Sequence, residues 1–242
     1  MLPFTSKEHT QMKINKLSLL DGAKIATGST VIIDVFRAFS VECYLAYNGA
    51  KRIYPVGSID EAYQIKMENQ DFILIGERHE KKCEGFDFGN SPTHIQNIDF
   101  SGKSIIHTTS SGTQGISNAK HATEILTGSF VNAKAIAKYL TAKQPQTISL
   151  VAMGYEGLRK SQEDEFCAEY IENEILGKPT DFETMIEILR TGDGARLLDP
   201  KNHAHSPSTD FDLCLDLNRF NFVLKVQNDQ NGRNYLEKIE VA

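Results

Sequence analysis

The chain has 242 residues, 40% hydrophobic and 24% charged, with 26 lysines and arginines against 32 aspartates and glutamates for a net charge of -6. That length is enough to bury a substantial core in one large domain or two small ones. The acidic balance argues against nucleic acid or an anionic membrane as a general partner.

No apolar run reaches the roughly 20 residues that a membrane helix needs. The N-terminal stretch MLPFTSKEHTQMKINK lacks the apolar core of a secretory signal. Cys43, Cys83, Cys167 and Cys214 lie far apart with no CxxC pair, so the expectation is four reduced thiols in a cytoplasmic protein. None of them opens a Cys-x5-Arg phosphatase loop, since Gly49 and Gly89 stand where Cys43 and Cys83 would need arginine.

In chain order, residues 12–27 read as an edge strand or hairpin. VIIDV (31–35) is a short β-rich run, followed by Arg37 and the apolar-periodic RAFSVECYLAYNG. KRIYPV (51–56) leads into the helical DEAYQIKMEN, and FILIG (72–76) opens into the charged, glycine-rich ERHEKKCEGFDFGNSP. SIIHTT (104–109) precedes SSGTQGISNAKHA, TEIL (123–126) precedes the helix NAKAIAKYL, and TISLVAM (147–153) precedes GYEGLRKS and QEDEFCAEYIENEIL. Residues 180–219 hold the helix TDFETMIEILRTG, a loop with His, Pro and Ser, and a short helix near Asp210 to Asn218. FNFVLKVQ and NYLEKIEVA, with Gly232 between them, read as a terminal antiparallel edge hairpin.

Strands alternating with helical stretches predict crossover units and a mostly parallel sheet, and continuous apolar strands predict helices on both faces. The fold class is therefore α/β, a three-layer α/β/α arrangement around a mostly parallel, mixed sheet. It is expected as a single domain, with a subdomain break near 140–150. Edge strands at the ends are also the ground for expecting a homodimer.

In an open α/β sheet, ligands bind beyond the carboxyl ends of the strands. That rule gathers Asp34 and Arg37, Glu77 and Arg78, Thr108 to Thr113, and Glu163 and Asp164. Asp34 reads either as a helix cap or as a carboxylate aimed at a metal or water, and Arg37 either as a surface residue or as a fork for phosphate. The DxD of haloacid-dehalogenase phosphatases is missing, because Phe36 takes the second position.

In HTTSSGTQG, hydroxyls surround Gly112 before a helix, which is either a Ser/Thr cap or an anion site. It is not a Walker A loop, having no lysine. Ser161 with Asp164 resembles a capping box, whereas Glu163 falls on the face its helix should bury, where it would suit magnesium. Asn132 is most simply an N-cap. The His203-x-His205 pair is taken as structural. Carboxylates, arginines and hydroxyls without a Ser-His-Asp or Cys-His arrangement suit a magnesium-assisted reaction on a small phosphorylated acid.

IIDVFRA, GER (76–78), GFDFGNSP (85–92), TTSSGT (108–113), NA (132–133) and ED (163–164), in unbroken order over about residues 30 to 170, resemble the 2-phosphosulfolactate phosphatase family. A weaker echo lies near Asp210 to Asp216. The resemblance implies an α/β fold with a mixed sheet between helical layers. It also implies Mg2+-dependent hydrolysis of 2-phospho-3-sulfolactate to sulfolactate and phosphate, a step toward coenzyme M in some organisms.

Carried over, it implies Asp34, Glu77, Glu163 and Asp164 as magnesium-binding or water-activating groups. Arg37, Arg78 and the turn Ser110, Ser111, Gly112 and Thr113 become phosphate holders. Asp87, Asn90 and Ser91 become a second wall that Gly85 and Gly89 fold back and Pro92 stiffens, and Asn132 becomes a further substrate contact. Five positions depart from the family pattern: Ser111 replaces a usual asparagine, Gln114 a common arginine, His79 and Glu80 usual small residues, and Glu169 a common glycine. The departures at Ser111 and Gln114 motivate the alternative of a non-catalytic sensor or binding module for a phosphorylated metabolite.

Overall fold

The computed structural model describes residues 12–242. The segment 1–11, which carries most of the stretch read as lacking a signal, lies outside the described residues.

The first half of the chain runs β1 (Lys13–Ser18), α1 (Leu19–Ile25), β2 (Gly28–Ile33), α2 (Ala38–Tyr47), β3 (Arg52–Val56), α3 (Ile59–Glu68) and β4 (Ile73–Arg78). The two-residue β5 (Lys81–Lys82), α4 (Pro92–Ile95), β6 (Ser104–Thr108), α5 (Gly112–Asn118) and β7 (Ala122–Gly128) follow. Then come α6 (Ala133–Lys143), β8 (Thr147–Ala152), α7 (Gln162–Leu176), α8 (Phe182–Thr191), α9 (Ala195–Leu198) and α10 (Thr209–Cys214). The hairpin β9 (Phe222–Asn228) and β10 (Asn234–Glu240) ends the chain.

Several ends have visible local causes. The Ser58 side chain accepts from Glu61 N at the start of α3, and Asp181 does the same for Thr184 N at α8. Pro92 occupies the first turn of α4, where its missing N–H costs nothing.

The strands form one mixed sheet in the order β1-β8-β2-β7-β9-β10-β3-β6-β4-β5. Alternate residues of β2 enter different cores. Val31 and Ile33 pack beneath α6 and α7, while Ile32 packs with Ala23 of α1 and Ile116 of α5. Both faces are therefore covered, giving the expected three layers and explaining why the strands read as unbroken apolar runs. All four cysteines are buried free thiols. Among the described residues no helix is long and apolar enough to cross a membrane.

Two expectations about the ends are corrected. β1 is an edge strand, but it pairs in parallel with β8, and the rest of the 12–27 segment is the helix α1. The terminal hairpin is not an edge: β9 pairs with β7 and β10 with β3, so it is inserted in the middle of the sheet. Its apolar residues explain the placement, because Val223 and Leu224 face opposite cores and an edge position would leave one face uncovered. The hairpin thus no longer offers an edge on which a homodimer could form.

The insertion has a consequence for the site. β1, β8, β2 and β7 are mutually parallel, and so are β3, β6 and β4. Three antiparallel steps separate the groups, so the two blocks run in opposite senses. The crossover helices interleave them. α2 leaves β2 and packs on β3, while α5 leaves β6 and packs on α1 and β2. The carboxyl ends of β2 and β8 in one block and of β4 and β6 in the other therefore meet across a cleft.

Candidate active site

Asp34, Arg37, Glu77, Glu80, Asn90, Ser110, Ser111, Glu163, Asp164 and Arg196 all line this cleft. Asp34 follows β2 directly and is 6% exposed. Its Oδ1 accepts from Ala38 N at 3.4 Å, so it does cap α2. Its Oδ2 lies against Gly112, where an added Cβ would come within 2.9 Å of that oxygen. Glycine at the start of α5 is what lets the two blocks approach this closely.

Burial, then the charges of Glu77 and Glu163, push the Asp34 carboxyl up from 3.8 to about 7. The Ala38 and Gly112 backbone N–H groups work the other way. Crowded acids raising one another is the pattern of a functional carboxylate cluster.

Each neighbouring acid is held differently. Glu77, at the end of β4, accepts from Ser110 N and from Glu80 N, each at 2.7 Å, which ties the β4–β5 turn to the hydroxyl-rich loop. Glu163 accepts from Arg196 Nη2 at 3.1 Å through Oε1, while its buried Oε2 has no partner. Asp164 accepts from Val35 N at 2.7 Å and from Gly154 N at 2.8 Å. Both of its oxygens thus clamp the exits of β2 and β8, and burial beside Asp34 and Glu163 raises its pKa as well. The capping box expected between Ser161 and Asp164 does not form, and the buried Ser161 Oγ is unpartnered.

Two arginines line the cleft. Arg37 donates through Nη1 to Asp210 Oδ2 and to the His205 carbonyl, both at 2.9 Å, in an ion pair 3% and 0% exposed. Asp210 also accepts from Ser91 Oγ at 2.7 Å and from Thr93 Oγ1 at 2.6 Å. Through it, the GNSP turn is fastened to the start of α2. Arg196 donates to Glu80 at 3.0 Å and to Glu163, and its guanidinium stacks 5.6 Å from the Phe36 ring centre.

The remaining expected residues fall elsewhere. Arg78 donates to its neighbour's carbonyl and to Gly57 O and Thr108 Oγ1, and is not in the cleft lining. Asp87 accepts from Leu74 N at 2.8 Å, bracing the loop against β4. Asn132 sits at the N-cap position of α6, but its side chain makes no cap bond there; it turns back to accept from Ser129 N at 3.1 Å, closing the capping box of the preceding 3-10 turn. Thr113 bonds back to Thr109 O at 3.1 Å inside its own helix start. Ser91 reaches the cleft only through Asp210. Gly85 has φ +68 in open space and does turn the loop, but Gly89 adopts no left-handed conformation. Ser111 lines the cleft and donates to Gly154 O at 2.8 Å, whereas Gln114 turns to Gly57 and away from it.

Sequence reading missed Arg196, and it met Asp210 only as a weak echo. The signal for Arg196 was available as a balance of charge: a cleft collecting this many acids needs a further cation from a loop that carries no other motif.

Among the described residues no three His, Cys, Asp or Glu side chains form a ready-made metal cage. The donor set nevertheless suits a hard cation. Mg2+ is commonly held by one or two carboxylates plus waters and substrate phosphate rather than by an all-protein cage. Among the buried acids of the cleft, the unpartnered Glu163 Oε2 and the charge-crowded Asp34 have a carboxylate oxygen to offer, while both oxygens of Glu77 and of Asp164 are engaged.

Fold and cleft together define an α/β protein with a buried, acid-rich cleft that two arginines also line. The chain belongs to the 2-phosphosulpholactate phosphatase family, whose model matches residues 15–229. It is 31% identical over 219 residues to a probable 2-phosphosulfolactate phosphatase of Caldanaerobacter subterraneus subsp. tengcongensis, covering 83% of this chain and 88% of that protein. It is 35% identical over 160 residues to one from Clostridium perfringens, covering 64% of each chain. A third, from Caldicellulosiruptor saccharolyticus, is 40% identical over 144 residues, covering 58% of this chain and 59% of the relative.

Proposed function

We propose that the chain is a Mg2+-dependent phosphatase acting on a small phosphomonoester that bears a second acidic group, the substrate class of 2-phospho-3-sulfolactate. The observation that carries this reading is the convergence of Asp34 and Glu163, each with an oxygen facing the cleft, beside two arginines, in a member of a phosphatase family. A dianionic phosphate would meet six carboxylates and only two arginines, both already paired, so a cation is needed before such a substrate could enter.

Asp34 and Glu163 would hold the metal. When bound, it neutralises phosphoryl charge and lowers the pKa of water. Glu77 and Asp164 fix the loops and strand ends that aim these two acids. Arg37 and Arg196 would face the non-bridging oxygens, over which the phosphoryl charge is spread in the transition state. The test is phosphate release from a panel of phosphorylated carboxylic and sulfonic acids, with Mg2+ and with a chelator. Metal-dependent turnover favouring diacidic substrates is expected. Saturable binding without turnover would favour the binding-module alternative, and chelator-insensitive turnover would remove the metal.

The acid cluster predicts a pH dependence that needs no turnover. The folded-state pKa of Asp34 lies above its unfolded value, so the folded protein binds the extra proton and stability falls as pH rises from about 3.8 to about 7. Thermal melts in metal-free buffer should show that decline, and Mg2+ should flatten it. A midpoint unaffected by Mg2+ at neutral pH would count against the metal site.

Arg37→Lys keeps the charge but loses the planar fork that bonds Asp210 while facing the cleft. Phosphate release should fall by about tenfold or more, and wild-type rates would show that Arg37 serves only the Asp210 pair.

A further inference from the structure

A chain of polar side chains runs from the interior to the cleft and takes no part in holding a metal. Glu42 of α2 and His107 of β6 are each 0% exposed, and Asn90 is one of the cleft-lining residues. Glu42 Oε1 lies 3.0 Å from His107 Nδ1, and Asn90 Oδ1 lies 3.2 Å from His107 Nε2. Among the described residues Asn90 Nδ2 donates to nothing.

Asn90 turns its amide oxygen to this ring, and an amide oxygen only accepts, so in this orientation His107 donates through Nε2–H. Nδ1 faces a carboxyl oxygen, and the two can share one proton in either sense: an imidazolium donating to a carboxylate, or a carboxyl donating to a neutral ring. Burial raises the Glu42 pKa while the bonds to His107 lower it. Under both arrangements Nε2–H points at Asn90, and the amide is locked with its NH2 side away from the imidazole.

A buried Glu-His pair is an expensive way to fill a core. Glu42 Oε2 and Thr127 Oγ1 complete no hydrogen bond of ordinary geometry, although the Thr127 hydroxyl is near enough to lower the carboxyl's pKa. Replacing such a pair by apolar residues is often neutral or stabilising, so retaining it points to a task other than stability.

We infer that Asn90 is a substrate-contacting donor and that His107 and Glu42 are its positioning residues, presenting Nδ2–H to an anionic oxygen of the phosphorylated substrate. This rests on the phosphatase reading for the identity of the substrate, though not for the orientation of the amide. The choice of donor is chemically apt. In a cleft crowded with Asp34, Glu77 and Glu163, a further arginine would be captured by a carboxylate. A neutral amide of fixed polarity stays free for the substrate.

The experiment has two arms on the whole protein. Imidazole 15N spectra of the wild type should show the His107 proton on Nε2, and inorganic phosphate should shift the Asn90 side-chain amide resonances. A ring carrying its proton on Nδ1 alone, or an Asn90 amide indifferent to phosphate, overturns the proposal whether or not turnover is found.

In the second arm, Asn90→Asp puts an acceptor where a donor is needed and should raise KM for the best panel substrate by about tenfold or more. His107→Leu should raise KM in the same way by freeing the amide to flip, and His107→Gln, which restores a donor, should recover part of it. Equal KM in Asn90→Asp and wild type overturns the proposal, as does a His107→Leu protein that folds with wild-type KM. Should that variant fail to fold, the spectra and Asn90→Asp still decide.

Discussion

Asp34→Asn should reduce phosphate release by about 10²- to 10³-fold while leaving the protein at least as stable as the wild type. Most substitutions of a buried, hydrogen-bonded residue destabilise, so the combination is informative. The amide retains an oxygen to accept from Ala38 N, so the cap on α2 survives. What disappears is a charge that burial and the neighbouring Glu77 and Glu163 already resist.

The stability difference should itself depend on pH. At neutral pH and above, the wild type bears the penalty of ionising Asp34 and the variant does not, so the variant should melt higher in metal-free buffer. Near pH 3.8 both are uncharged at this position and the midpoints should converge. Added Mg2+ should reverse the order, stabilising the wild type more than the variant. Wild-type turnover in a folded Asp34→Asn protein would reduce Asp34 to a helix cap.

Asp210→Ala should have the largest effect on stability. Asp210 is 0% exposed and accepts from Arg37, Ser91 and Thr93 together. Its removal strands the Arg37 guanidinium in a buried site, at a cost of about 3–5 kcal/mol. For a chain of this length that is a fall of roughly 6–20 °C in the thermal midpoint. The same change unfastens the GNSP turn from α2. Amide exchange should therefore accelerate first at residues 89–93, and turnover should drop as that wall of the cleft loosens. A midpoint within about 2 °C of wild type would show that Arg37 finds another partner and that Asp210 is not the anchor.

Much of this arrangement was legible before any coordinates. The alternation of apolar runs with helical stretches marked β2, β3, β4, β6, β7 and β8, and the helices after all of them except β4. The acids and hydroxyls at their ends stand out as a set by the rule that ligands bind beyond the strands' carboxyl ends. Asp34, Arg37, Glu77, Ser110, Ser111, Asn90, Glu163 and Asp164 do share one cleft. The misreadings were of direction. Arg78, Asp87 and Asn132 sit on the right segments, but their side chains turn to Gly57 and Thr108, to Leu74, and to Ser129 and Thr127. Residue identity says that a side chain can bond an anion or cap a helix, and the local backbone decides which.

The sequence by itself determined most of the strands and helices, though not α1, and which turns carry charge, because periodicity, capping and turn chemistry act over a few residues. It did not determine that the terminal hairpin would enter the middle of the sheet and set two parallel blocks in opposite senses. Nor did it show that α2 and α5 would interleave the blocks so that the strands' carboxyl ends meet, or that Arg196 and Asp210 would arrive on the short helices α9 and α10. Those outcomes depend on pairing and burial between residues far apart in the chain. Only the complete packing of both sheet faces chooses among the alternatives that local chemistry leaves open.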